Sequence, residues 1–114
     1  MAIKGSCHCK ATSFEVSVAP ENVTSCTCSF CSKRGSLWAY YGPSQVKFDK
    51  IESRATYQWG SRTVKHHFCA VCGIHPYAEA KDPKGNPMAA INIRALEGVD
   101  LSAIPVKQFD GRSI

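Results

Sequence analysis

Arg62-Thr63-Val64-Lys65-His66-His67-Phe68-Cys69-Ala70-Val71-Cys72-Gly73 carries two signals in one short stretch. Its first part reads as a strand, paired across Gly60-Ser61 with the strand-like run from Arg54 to Trp59. Its end, Cys69-x-x-Cys72, has the spacing of a metal-binding knuckle, where a tight turn brings two thiolates together. Gly73 suits the positive φ such a turn often requires. The expectation set here is β-structure with zinc at the strand ends.

The flanking sequence agrees. Phe14, Val16 and Val18 alternate with Ser13, Glu15 and Ser17 in a half-buried strand ended by Pro20. Leu37 to Tyr41 is aromatic-rich and stops at Gly42-Pro43. Ile74 to Ala80 and Met88 to Ile93 supply two more strands, with Lys81-Asp82-Pro83-Lys84-Gly85-Asn86-Pro87 as the turn between them. Helical periodicity is confined to a short turn from Phe30 to Arg34, with Ser29 as N-cap and Gly35 past its end, and to a turn beginning near Pro43-Ser44-Gln45. No repeat, linker or low-complexity tract interrupts the chain, so residues 1–114 read as a single all-β domain.

A chain of 114 residues buries roughly two thirds of its unfolded surface, a real but modest core. With 44% hydrophobic and 20% charged residues the composition excludes a disordered chain. No run approaches the ~20 apolar residues of a spanning helix. Met1-Ala2-Ile3-Lys4-Gly5 lacks the apolar stretch of a secretory signal, so the expectation is a soluble, cytoplasmic protein away from the membrane.

Seven cysteines fall in three groups: Cys7-x-Cys9, Cys26-x-Cys28-x-x-Cys31 and Cys69-x-x-Cys72. An odd number, clustered, in a reducing compartment points to metal ligation rather than disulfides. On an extended strand Cys7 and Cys9 would project from one face and chelate one ion. Cys26 and Cys28 can use the same spacing, with Cys31 in the first helical turn, where the positive helix end favours its thiolate. These three need no long loop closed, which leaves Cys7, Cys9, Cys69 and Cys72 for a second site spanning 59 intervening residues. Closing that loop costs roughly 3–4 kcal/mol, against roughly 10–16 kcal/mol from structural zinc. Spacing alone leaves other partitions open, such as Cys7, Cys9, Cys26 and Cys28.

Four thiolates close a tetrahedron, so the four-cysteine site reads as structural. Three leave a position for water, substrate or a histidine. His8 should project away from the metal of its neighbours; His66 and His67 point to opposite strand faces, so at most one faces the site; His75 precedes Pro76 on the knuckle exit.

Gly5-Ser6-Cys7-His8-Cys9 followed by an alternating strand resembles the opening of the glutathione-dependent formaldehyde-activating enzyme family, which also includes centromere protein V. Cys26-Thr27-Cys28-Ser29-Phe30-Cys31 with Lys33-Arg34-Gly35, then Phe68-Cys69-Ala70-Val71-Cys72-Gly73-Ile74, extend the likeness. So do Asn92-Ile93-Arg94, Leu96 and Gly98-Val99-Asp100. Position 10 is Lys where members of that family commonly have Gly. The resemblance implies a β-tent of packed antiparallel sheets with two zinc ions. It makes Cys7, Cys9, Cys69 and Cys72 structural and Cys26, Cys28 and Cys31 catalytic. It also implies a carbon–sulfur lyase that forms S-hydroxymethylglutathione from glutathione and formaldehyde.

In such an enzyme a thiol at the fourth zinc position ionises far below its free pKa of about 8.5 and attacks the aldehyde. Lys33, Arg34 and Arg94 are the cations available to offset the negative charge, and His66 or His67 the candidate proton carrier. The plain reading of each cation is a solvated surface charge, and Asn92 and Arg94 read equally well as loop caps. With all seven cysteines bound as thiolates to two Zn²⁺ ions, the formal charge falls from +5 to +2, which weakens any electrostatic case for nucleic acid. Two rivals remain: a non-catalytic zinc-stabilised binding module, and a chromatin or nucleic-acid binder using Trp38, Tyr40, Tyr41 and Trp59. Against the second, no basic run of five or more residues occurs. A third reading keeps the site and changes the thiol or aldehyde; oligomeric state is silent in the sequence.

Overall fold

The computed structural model describes residues 2–26, 28–60 and 62–109. In chain order the strands are β1 (Ile3–Ser6), β2 (Thr12–Val16), β3 (Val23–Cys26), β4 (Trp38–Tyr41) and β5 (Val46–Ile51). They continue with β6 (Arg54–Tyr57), β7 (Lys65–Cys69), β8 (Tyr77–Lys81), β9 (Pro87–Asn92) and β10 (Val106–Phe109). The one α-helix among the described residues, α1, is the single turn Cys31–Arg34. Short 3₁₀ turns cover Pro43–Gln45, Ile93–Ala95 and Leu101–Ala103. The all-β reading holds. A three-stranded sheet, β1-β2-β5, packs on a larger one ordered β10-β3-β4-β9-β8-β7-β6. All pairings are antiparallel except β10 with β3.

Register gives the large sheet two distinct faces, because directly paired residues share a face and successive residues alternate. One cross-strand row runs His67, Tyr77, Ile91, Ala39. It meets Phe14 and Val16 of the small sheet in the main core. Phe48 links the layers, its ring 5.7 Å from Phe14 and 4.7 Å from Tyr77. The neighbouring row, His66, Ala78, Ala90, Tyr40, faces the other way. There Ala78 and Ala90 join Trp38, Cys28 and Cys31 in a second cluster.

The strand bounds differ from the sequence pattern where a partner runs out. Val18 was expected to continue β2, but β5 begins at Val46, opposite Val16, and offers nothing beyond it. Val18 is exposed, and its carbonyl accepts a hydrogen bond from the Tyr41 hydroxyl. The β6–β7 hairpin forms as expected, with Tyr57 opposite His66, but its strands stop short of Trp59 and Arg62. Gly60 and Arg62 take left-handed conformations there, at φ 60° and 58°, so residues 58–60 and 62–64 are loop; Ser61 lies outside the described residues. Strand β8 starts at Tyr77 rather than Ile74, since the preceding Pro76 has no N–H to give a ladder.

Gly5 lies where β1 crosses over the core and forms a bridge with Leu96. A Cβ there would stand 2.7 Å from the Phe14 ring and 3.0 Å from Leu96. Phe14 is 2% exposed and has nowhere to retreat. We expect Gly5→Ala to cost about 1–3 kcal/mol in urea unfolding at an unchanged m-value; a neutral substitution would show that β1 is free to move off the core.

Candidate metal centres

The sulfurs of Cys7, Cys9, Cys69 and Cys72 all lie within 4.8 Å of one another. Cys7 and Cys9 sit 3.7 Å apart and Cys9 and Cys69 3.5 Å apart. Four sulfurs at about 2.3 Å from a tetrahedral zinc would be about 3.8 Å apart, so this donor set fits zinc with little rearrangement. The extended spacing expected for Cys7-x-Cys9 is not what forms. The two residues lie in the turn between β1 and β2, closed by the Lys10 N–H on the Cys7 carbonyl at 3.2 Å. Lys10 is held at φ 66°, a left-handed conformation that costs a non-glycine residue roughly 1–2 kcal/mol. The second half is a knuckle as read. Cys69 ends β7, its sulfur accepts from the N–H groups of Val71 and Cys72 at 3.4 Å each, and Gly73 has φ 80°.

Cys26, Cys28 and Cys31 form the other group, their sulfurs also mutually within 4.8 Å. The structure thus gathers these seven cysteines as four and three, and the pairing of Cys7 and Cys9 with Cys26 and Cys28 does not occur. Cys26 ends β3, Cys28 lies in the loop and Cys31 opens α1; Thr27 between them lies outside the described residues. The helix is not capped by Ser29. Phe30 takes the N-cap position without a side-chain bond, and the Cys31 N–H donates instead to the Cys28 sulfur at 3.2 Å. The benefit expected for the Cys31 thiolate therefore falls on Cys28. Burial opposes ionisation of Cys28, but the Cys31 N–H and neighbouring sulfurs outweigh it and lower its pKa. Burial, with Cys28 beside it, pushes the Cys31 thiol up to about 12. Three crowded thiols cannot all ionise unaided; a bound dication relieves that repulsion.

A cavity of about 190 Å³ adjoins this group. Its shape follows from register. Ala78 and Ala90 stand at the middle of the row His66, Ala78, Ala90, Tyr40, so two small side chains lie between two large ones. The loop between β6 and β7 brings Trp59 and Val64 to the rim. Tyr40, read as a strand residue and as one candidate for base stacking, lies in β4 and lines this cavity half-exposed; partial burial and the nearby sulfurs of Cys31, Cys26 and Cys28 raise its phenol pKa, keeping the hydroxyl protonated. Ala78, Ala80 and Ala90 were not singled out at all. Period-2 alternation from His66 would have found them once the strands were paired. Of the other proposed stacking residues, Trp38 and Tyr41 are buried.

The histidines separate as the strand faces dictate. His8 is exposed. His67 points into the main core, held by Thr56 Oγ1 at 2.9 Å and Glu79 Oε2 at 2.6 Å. His66 lines the three-cysteine cavity. His75 is 5% exposed and wedged against Trp38 and His66, its ring 5.0 Å and 5.5 Å from theirs. Neither nitrogen of His75, nor Nδ1 of His66, has a hydrogen-bond partner among the described residues. Burial, with the Arg34 charge adding to it, lowers the pKa of His66 to about 4 and of His75 to about 3. No fourth Cys, His, Asp or Glu among the described residues joins the three cysteines within that 4.8 Å distance.

The candidate cations have different tasks. Arg94 Nε donates to the Gly35 carbonyl at 3.1 Å, closing the end of α1. Asn92 caps the turn after β9, accepting from the Arg94 N–H and donating to the His75 carbonyl. Both act as the loop caps foreseen for them. Arg34 lies over the Phe30 ring, 4.9 Å from its centre.

A family model described as glutathione-dependent formaldehyde-activating enzyme matches residues 2–108. The chain belongs to that family. A crystal structure of a Rhodobacter sphaeroides protein is 33% identical, with a TM-score of 0.76 over 91% of this chain and 99% of that one. Family membership agrees with two cysteine groups suited to zinc and with sheets packed as observed.

The buried histidines make acid stability a direct readout of this arrangement. An imidazole with a folded pKa below its unfolded value of about 6.5 is neutral in the fold. Below that pH the unfolded chain gains a proton that the folded chain refuses. Stability is therefore full above about pH 6.5 and drains toward the folded values. We expect His75→Phe to flatten urea-measured stability between pH 6.5 and 4, by at most about 1.4 kcal/mol per pH unit relative to wild type. Parallel curves for the two proteins would contradict a neutral, buried His75.

Proposed function

We propose that this protein is a carbon–sulfur lyase that adds a glutathione-like thiol to formaldehyde or another small aldehyde at the three-cysteine centre. One observation carries the reading: Cys26, Cys28 and Cys31 converge beside a cavity, and no fourth donor among the described residues completes the set. Family membership supports the reaction class. Cys7, Cys9, Cys69 and Cys72 serve as the closed structural site, stapling the β1–β2 turn to the end of β7.

Zinc held by Cys26, Cys28 and Cys31 would supply the positive charge that ionises an incoming thiol near neutral pH. The protein's own groups do the rest. The cavity, floored by alanines and lined almost wholly by apolar side chains, admits a thiol head. As the sulfur–carbon bond forms, the S–H proton must leave sulfur and the carbonyl oxygen must gain one, giving R–S–CH₂–OH from R–SH and formaldehyde. His66, neutral at pH 7, offers an imidazole lone pair for the first transfer. The protonated hydroxyl of Tyr40 offers a donor for the oxygen. Arg34 supplies the nearest positive field, felt at His66 and His75.

Cobalt substitution followed by glutathione titration tests the centre directly. The thiolate-to-metal absorption band should rise saturably, and Cys28→Ser should abolish the response. Ala78→Leu, which fills the floor of the cavity, should keep both metals but lose the glutathione-dependent change and at least about tenfold in formaldehyde turnover. An unresponsive band in the metal-loaded wild-type protein would replace the enzyme reading with a zinc-built binding module.

A further inference from the structure

One wall of the three-cysteine cavity comes from the far edge of the large sheet. Strand β10 pairs with β3 in a parallel register that sets Phe109 opposite Cys26. Directly paired residues share a face, so Phe109 stands on the cysteine side of the sheet, and its side chain lines the cavity. All four residues of β10 are exposed, and Phe109 keeps 50% of its surface open to solvent.

The chain leading into β10 holds that ring in register. Asp100 caps the turn Leu101–Ala103, accepting from the Ser102 N–H at 3.0 Å and from its hydroxyl at 2.6 Å. Leu101 and Ile104 pack against the main core. The Pro105 carbonyl then accepts from the Val23 N–H at 3.0 Å, so the strand is pinned at its start. A slip of one residue would turn Phe109 to the other face.

The rings of Tyr40, Trp59 and Phe109 bound the cavity, and they differ in what they can do. Tyr40 carries a hydroxyl and Trp59 an indole N–H, whereas Phe109 has no polar side-chain atom and acts by bulk alone. The floor is alanine, at Ala78 and Ala90, and the whole space is about 190 Å³. A thiol head seated on that floor leaves only the space between the rings for whatever stands next to its sulfur. Formaldehyde bears nothing but hydrogen on its carbonyl carbon. A larger aldehyde adds a substituent that has to fit among the rings, and a clash there selects by exclusion.

We propose that Phe109 sets the size limit of the three-cysteine centre, its ring restricting the bulk that can stand beside a bound thiol sulfur. With Phe109 in place a one-carbon carbonyl compound fits and larger ones do not. The inference rests on the thiol–aldehyde reading above and adds to it the residue that decides selectivity.

Ratios carry the test, because a general loss of activity cancels from them. The full chain, with both metals bound and its urea midpoint recorded as a check on folding, is assayed with glutathione and formaldehyde, acetaldehyde or benzaldehyde. We expect Phe109→Ala to raise kcat/KM for the two larger aldehydes relative to formaldehyde by at least about tenfold, and Phe109→Trp to move the same ratios the other way. A second readout needs no turnover. In the cobalt-substituted protein, affinity for 2-methyl-2-propanethiol, which is crowded next to sulfur, should rise about tenfold relative to ethanethiol in Phe109→Ala. Wild-type protein that uses benzaldehyde as readily as formaldehyde, or ratios that ignore both substitutions, would overturn the size limit and leave the thiol–aldehyde reading standing. Phe109-dependent discrimination between the two thiols, with no aldehyde turned over, would keep the size limit and overturn the lyase reading. A cobalt band that responds to neither thiol, with no turnover, would overturn both.

Discussion

Pairing register across the large sheet is the constraint on which the rest depends. Because His67 is opposite Tyr77 and Tyr77 opposite Ile91, one row of side chains must enter the core against the small sheet. The adjacent row, from His66 through Ala78 and Ala90 to Tyr40, is then committed to the opposite face. A slip of one residue would exchange these rows, placing alanines in the core and Tyr77 beneath the cysteines. The cavity at the three-cysteine group is thus a consequence of strand pairing as much as of the loops around it.

The cysteines add a second constraint at the strand ends. Cys69 closes β7 and Cys26 closes β3, so each group begins where the ladder stops and free N–H groups become available. Those N–H groups turn toward sulfur: Val71 and Cys72 toward Cys69, Cys28 toward Cys26, and Cys31 toward Cys28. The sulfurs suited to a metal ion are the same atoms that satisfy the backbone. The crowding that makes simultaneous ionisation unfavourable in the bare protein also makes the groups good hosts for a dication. Around the three-cysteine group the charges are graded, with neutral histidines behind the cavity and Arg34 beyond Phe30.

Much of this was legible in sequence where the signal is local. The Cys69-x-x-Cys72-Gly73 knuckle, the β6–β7 hairpin and the opposite orientations of His66 and His67 follow from spacing and alternation over a few residues. Local rules failed where a distant partner decides. Val18 continues an alternating pattern but has no strand to pair with, and Ser29 yields its capping role because the Cys28 sulfur takes the N–H. Cys7 and Cys9 share a metal-sized cluster through a turn rather than through strand geometry, a choice visible only in the Lys10 backbone.

What the sequence by itself determined is chemistry: seven sulfurs in three groups, an all-β pattern and the family to which they belong. Each rests on residue identity and near-neighbour spacing, which are written in the chain. What only the tertiary structure decided is adjacency. The joining of the β1–β2 turn to the end of β7 through their cysteines, the alanine floor, the burial of His75 and the meeting of Arg34 with Phe68 bring together residues far apart in sequence. Such contacts depend on register and on the crossing of two sheets, and no local pattern encodes the order in which seven strands line up.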